Sequence, residues 1–141
     1  MGGTAGSPYP ELARSLNLEN RVHFLGFRQD VPDLMKAADF LVFPSRYEPF
    51  GLVVLEAMAT GIPVITAATT GATELVAPDC GFVLSDSDDT QALAEALNQL
   101  VKCDRQQRQQ MGEVARTIAE KHSWANMGRN YLNLFEEIQP C

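Results

Sequence analysis

Residues 40–65 read FLVFPSRYEPFGLVVLEAMATGIPVI. The apolar run from Phe40 to Phe43 stops at Pro44, the pattern of a short strand buried on both faces. After a turn, the segment from about Gly51 to Thr60 reads as an apolar helix closed by Gly61. IPVIT, from Ile62 to Thr66, is a second short buried strand. Short buried strands alternating with helices predict an α/β domain with a parallel sheet. Ligands in such sheets bind beyond the carboxyl ends of the strands. RYEPFGL lies just past one of those ends, so that is where a site is expected.

Working outward, PELARSL is a short helical stretch, with Ser7 as a cap and Pro8 in a tolerated first-turn position. RVHFLGF alternates and closes on Gly26, which predicts a strand over Val22 to Leu25. Asp30 can cap a two-turn helix in VPDLMKAA. Downstream, TGATELVAP is a loop with a short helix and GFVL a further strand. The sum is a Rossmann-like parallel sheet of about four strands with flanking helices. The last third is helical. Leu93, Ala96, Leu97, Leu100 and Val101 share one face of a first helix. A polar, glutamine-rich helix follows from about Arg105 to Lys121. Ser123 caps a closing helix over 123–138 whose inner face reads Trp124, Met127, Tyr131, Leu134, Phe135 and Ile138.

With 141 residues, 45% of them hydrophobic and 21% charged, the composition is that of one globular domain. A net charge of −7 argues against duplex DNA or RNA as a partner, because phosphate binding there needs clustered lysine and arginine. It leaves room for a small anion held by backbone N–H groups at a helix start. No apolar run reaches the ~20 residues that span a bilayer, and MGGTAGSPYPEL does not read as a secretory signal. Cys80, Cys103 and Cys141 are scattered and odd in number, as expected of reduced thiols in a cytosolic protein.

Two glutamates stand out in the opening stretch. Glu56 is the one charge on a helix whose other residues are mostly apolar, so the helix is expected to be buried on most sides. A buried carboxylate needs hydrogen-bond donors or it costs several kcal/mol. The vicinal diol of a ribose supplies two. Glu48 lies in the preceding loop, stiffened by Pro49, and can point across the helix start. There the N–H groups of Gly51, Leu52 and Val53 are free to hold a diphosphate. Glu48 should avoid that diphosphate, because like charges about 4 Å apart repel by roughly 4 kcal/mol at an effective dielectric near 20. Hydroxyl groups on a sugar attached to the phosphate would suit it. On spacing alone an internal account is equally good: Glu48 caps its helix and Glu56 pairs with Arg46 or another cation.

With FLGF, VPDLMKAADFLVFPSRYEPFGLVVLEAMATGIPVI and the later HSW, the chain resembles the nucleotide-binding half of retaining GT-B glycosyltransferases of the group 1, or family 4, type. The shared pattern is a glutamate, seven residues, a second glutamate and an A-x-G-x-P turn, present here as Glu48, Glu56 and AMATGIPV. The likeness runs from about Leu18 to Ile138. It implies that Glu56 holds the nucleotide ribose, that Glu48, Phe50 and Gly51 meet the transferred sugar, and that the backbone of Gly51, Leu52 and Val53 meets the diphosphate. The base falls to backbone groups of Gly26, Phe27 and Arg28. No cofactor or metal is implied, the nucleotide sugar being the donor substrate.

SDSDD, the one Asp-x-Asp decoy for a metal, directly precedes an amphipathic helix and reads as a cap. His23 and His122 read as structural, and Tyr47 and Phe50 either pack on a sugar or base or form wall packing.

The resemblance also implies what lies outside this chain. Family members carry a facing N-terminal domain with the acceptor site and the catalytic base, together with further strands and diphosphate-binding cations. MGGTAGS matches the glycine turn after the second of those strands, and Arg28 and Arg46 are the cations left near the site. The expectation is one partial donor-binding domain over 1–141, with no complete catalytic set and no turnover on its own. Exposed strand edges at Val22–Leu25 and Phe40–Phe43 invite self-association. The full-length enzyme would be cytoplasmic, at the inner membrane face if its acceptor is a lipid. The alternative is a non-catalytic nucleotide-sugar-binding or protein-interaction module. Nucleotide-sugar epimerases share the architecture, but the glutamate pair with its G-x-P turn favours transfer.

Overall fold

The computed structural model describes residues 7–138; the glycine turn expected before Ser7, and Cys141, lie outside them. The chain divides into two compact units, Met1–Val31 and Pro32–Cys141.

In the first unit, helix α1 spans Tyr9–Ser15. Pro8 is its N-cap, with no side-chain cap bond, and Ser7 Oγ instead accepts the Tyr9 N–H at 3.4 Å. The strand expected over Val22 to Leu25 does not form: the segment has no ladder partner among the described residues, and Val22, Phe24 and Leu25 are exposed. An alternating segment becomes a strand only when a neighbour takes up its backbone N–H and C=O groups. Asp30 accepts a hydrogen bond from Arg28 Nε at 2.7 Å, and this contact holds its carboxyl below the usual carboxylate range.

Helix α2 spans Val31–Ala37. The second unit carries a three-stranded parallel sheet in the order β1 (Leu41–Phe43), β2 (Val64–Ala67), β3 (Gly81–Leu84). Between β1 and β2 runs α3 (Leu52–Thr60), and between β2 and β3 a 3-10 turn (Gly71–Leu75). Three helices follow: α4 (Thr90–Lys102), α5 (Arg105–Lys121) and α6 (Trp124–Ile138). The SDSDD stretch does cap α4: Asp89 Oδ1 accepts the N–H of Gln91 and of Ala92 at 3.0 and 2.9 Å. Asp104 caps α5 in a capping box with Gln107.

Every residue of β2 is buried because the sheet is covered on both sides. Val64 packs with Val54, Met58 and Ala115 from α3 and α5, whereas Ile65 packs with Ala96 and Leu100 from α4. Such alternation follows from the period of two along a strand. α3 and α5 touch closely at Gly112, where an added Cβ would lie 1.9 Å from the Gly61 carbonyl oxygen.

Three expected burials fail among the described residues. Val42 is 36% exposed, so β1 is not buried on both faces; α4 lies over β2 and β3 and leaves that edge open. Val101 is exposed beyond the reach of the sheet. α6 has no buried residue at all, and its supposed inner face, from Trp124 to Ile138, lies open.

Candidate functional site

The site region begins where β1 and β2 end. The chain leaving β2 is tied to the chain leaving β1 at several points. Thr66 Oγ1 donates to the Phe43 carbonyl at 3.1 Å, and Thr69 Oγ1 donates to that of Ser45. The Glu48 N–H donates to the Thr69 carbonyl at 3.3 Å, the Gly71 N–H to Glu48 at 3.1 Å, and the Ala72 N–H to Phe50. Glu48 and Thr70 form an isolated parallel bridge. A loop fixed in this way presents its side chains at constant positions, which a binding loop requires.

Gly51 closes the loop and caps α3 with φ +88°. A Cβ there would lie 2.6 Å from Thr70 Cγ2 and 3.4 Å from Glu48 Cγ. Backbone angle and space both demand glycine.

Glu48 is half-buried, and its Oε1 accepts the Gly51 N–H at 3.2 Å. Glu48 thus holds the N–H of the N-cap residue itself and does not cap the first turn of α3, which has no side-chain cap bond. Leu52 and Val53 open the helix, and their N–H groups have no acceptor a turn earlier.

Glu56 differs from its sequence expectation. Val54, Ala57 and Met58 form the buried side of α3, while Leu52, Glu56 and Ala59 share the exposed stripe, so Glu56 is not buried. Among the described residues its carboxylate has neither an ion-pair nor a hydrogen-bond partner. Arg46, proposed as its internal partner, pairs with Asp88 at 2.8 Å.

Phe50, Leu52 and Glu56 line a groove of about 560 Å³ together with His122, Trp124 and Met127. Glu56 also borders a second groove, of about 380 Å³, with Lys36 and Arg116. Those two cations sit in helical pairs with Asp33 and Glu120. Trp124 and His122 as groove walls escaped the sequence reading, which took both as structural. The signal was available in Trp124, an indole at a helix start beside a serine cap. Tyr47 is 81% exposed and packs no wall.

In the first unit, Gly26 has φ +65°, Phe27 is exposed and Arg28 is engaged with Asp30. Both arginines considered for phosphate thus already face an aspartate.

The family profile described as Glycosyl transferases group 1 matches residues 2–118. D-inositol 3-phosphate glycosyltransferase of Corynebacterium urealyticum is 37% identical over 145 residues, covering 97% of this chain and 34% of that protein. Among solved structures, Anabaena Alr3699/HepE in complex with UDP superposes with a TM-score of 0.84 at 34% identity, over 92% of this chain and 36% of that one. Sucrose-phosphate synthase from Thermosynechococcus elongatus superposes with a TM-score of 0.79 at 34% identity, over 92% and 34%. The chain spans about a third of the length of the relatives it matches. Its parallel sheet with flanking helices is the corresponding part of a GT-B fold, and the chain belongs to the group 1 glycosyl transferases.

Proposed function

We propose that this chain is the donor-binding portion of a retaining glycosyltransferase that moves a sugar from a nucleotide diphosphate to a saccharide or lipid-linked acceptor. The observation carrying the proposal is Glu56: an exposed carboxylate with no partner among the described residues, on the helix that Leu52 and Val53 open just after Glu48. Support also comes from HepE, whose structures hold UDP and UDP-glucose.

In this reading Glu56 accepts hydrogen bonds from the ribose hydroxyls. Leu52 and Val53, joined by Gly51, donate backbone N–H groups to the diphosphate. Glu48 and Phe50 meet the sugar. The sugar–phosphate bond breaks as the acceptor oxygen attacks from the same face, and a phosphate oxygen of the leaving diphosphate takes the acceptor proton. No metal enters. The acceptor site and any further base belong to a facing domain outside these residues, so the isolated chain binds donor weakly and does not turn over. Among the described residues no helix is long and apolar enough to cross a membrane; contact with a lipid acceptor at the inner face would fall to that other domain. The second reading, a non-catalytic binding or interaction module, draws on the open apolar face of α6.

Titration of the isotopically labelled chain with UDP, GDP, ADP and UDP-glucose tests the assignment by NMR. Shifts centred on Glu48–Glu56 support it, and the nucleotide that gives them identifies the base. A well-dispersed spectrum that no nucleotide perturbs refutes it.

A further inference from the structure

Thr70 is 1% exposed, and its Oγ1 is the buried side-chain polar atom left without a hydrogen-bond partner among the described residues. It is the N-cap of the 3-10 turn, a position where threonine ordinarily spends its hydroxyl on a backbone N–H, yet it makes no such bond here. A buried, unpaired hydroxyl is costly, and native structures rarely keep one without reason. Its surroundings suggest the reason. The parallel bridge sets Thr70 and Glu48 side by side, and a Cβ on Gly51 would lie 2.6 Å from the Thr70 methyl and 3.4 Å from Glu48 Cγ. The Glu48 carboxylate meanwhile holds the Gly51 N–H.

Resting on the donor-site reading above, we infer that Thr70 is a positioning residue for Glu48. Without donor, the carboxylate stands in for an anion at the start of α3. An arriving diphosphate claims the same Gly51 N–H and repels the carboxylate. Glu48 then leaves Gly51, and the spare Thr70 hydroxyl donates to one carboxylate oxygen, leaving the other free for the sugar. The swap breaks one hydrogen bond and forms another, so the displacement costs little. It also explains how a glutamate that accepts the Gly51 N–H can turn to face the sugar in the complex.

Calorimetric titration with UDP and UDP-glucose tests the inference on the chain and on Thr70→Val, Thr70→Ser, Glu48→Ala and the Thr70→Val/Glu48→Ala double variant. Thr70→Val keeps the shape and removes the hydroxyl; it should weaken UDP-glucose about tenfold, one charge-assisted hydrogen bond's worth. Thr70→Ser should bind as the parent does. With Glu48 already alanine, Thr70→Val should change nothing further, a coupling that a merely structural role would not produce. In the absence of ligand, the Tm of Thr70→Val should equal or exceed the parent's, because nothing satisfied is lost. Parental affinity in Thr70→Val, an equal loss in the alanine background, or a Tm lower by several degrees overturns the inference while leaving the donor site standing. A parent chain that binds neither ligand overturns both.

Discussion

Glu56→Gln separates a ligand-binding carboxylate from a structural one. Glu56 lies on the exposed stripe of α3 and has no protein partner among the described residues, so its charge contributes little to folding. Surface changes of this kind stay within about 0.5 kcal/mol, and the urea midpoint should hold. Binding is another matter. Hydrogen bonds to a charged group are worth about 1.5–3 kcal/mol, and glutamine keeps an acceptor oxygen while losing the charge. The exposed position calls for the lower part of that range, about 1.5–2 kcal/mol. At about 1.4 kcal/mol per decade, UDP should then bind roughly 12- to 30-fold more weakly. The 2′,3′-dideoxy analogue of UDP, which has no ribose hydroxyls, should bind parent and variant alike. NMR shift titrations suit the assay because they read weak dissociation constants directly. An unchanged UDP constant would remove Glu56 from the ribose site. A stability loss above about 1 kcal/mol would instead restore the internal-partner account.

Gly112→Ala places a methyl 1.9 Å from the Gly61 carbonyl oxygen, so α3 and α5 must move apart. Overpacking of about 1–3 kcal/mol or more should outweigh the roughly 1 kcal/mol gained in helix propensity, and urea unfolding that shows a net gain would refute the contact. Cys80 is fully buried, and burial pushes its thiol above the usual range. Thiolate is therefore scarce at about pH 8, and a water-soluble disulfide reagent should leave Cys80 unmodified until urea unfolds the chain; prompt labelling of Cys80, located by peptide mapping, would contradict this. The open β1 edge and the bare apolar face of α6 should drive self-association, which light scattering would show as a mass rising with concentration. A monomer at every concentration would count against it.

The sequence was legible where local chemistry and long-range packing agree. β2 and α3 were readable because apolar runs, Gly61 and a G-x-P turn fix their nature and ends, and both sit at the centre of the unit, where burial is complete on one side at least. Val22–Leu25 and Val42 misled for one shared reason. Strand and burial patterns encode the neighbours a segment is suited to meet, and the described residues do not supply those neighbours. Trp124 and Met127 misled likewise: a helical stripe signals that something covers it, not what. Glu48 and Glu56 were singled out by their spacing and setting, but the bonds that tie Glu48 and Phe50 to residues 69–72 depend on how two strand ends meet, a relation that no local pattern records.

The two glutamates rest on different supports, and this separates their failures. Glu48 is held by the interlock of the loop after β1 with residues 66–72, including Gly51, where an added Cβ would meet the Thr70 methyl at 2.6 Å. Glu56 is held by α3, whose buried side of Val54, Ala57 and Met58 packs against β2 and α5. Loss of the Glu48 carboxylate should therefore spoil contact with the sugar and leave ribose binding largely intact. Damage at the Gly61–Gly112 approach should shift Glu56 and weaken UDP together with UDP-glucose. UDP and UDP-glucose affinities measured side by side for Glu48→Ala and Gly112→Ala would reveal the split: a changed ratio in the first, a common loss in the second. The same ratio in both variants would mean that the site answers to the fold as one unit, and the division of labour drawn from the hydrogen bonds would be wrong.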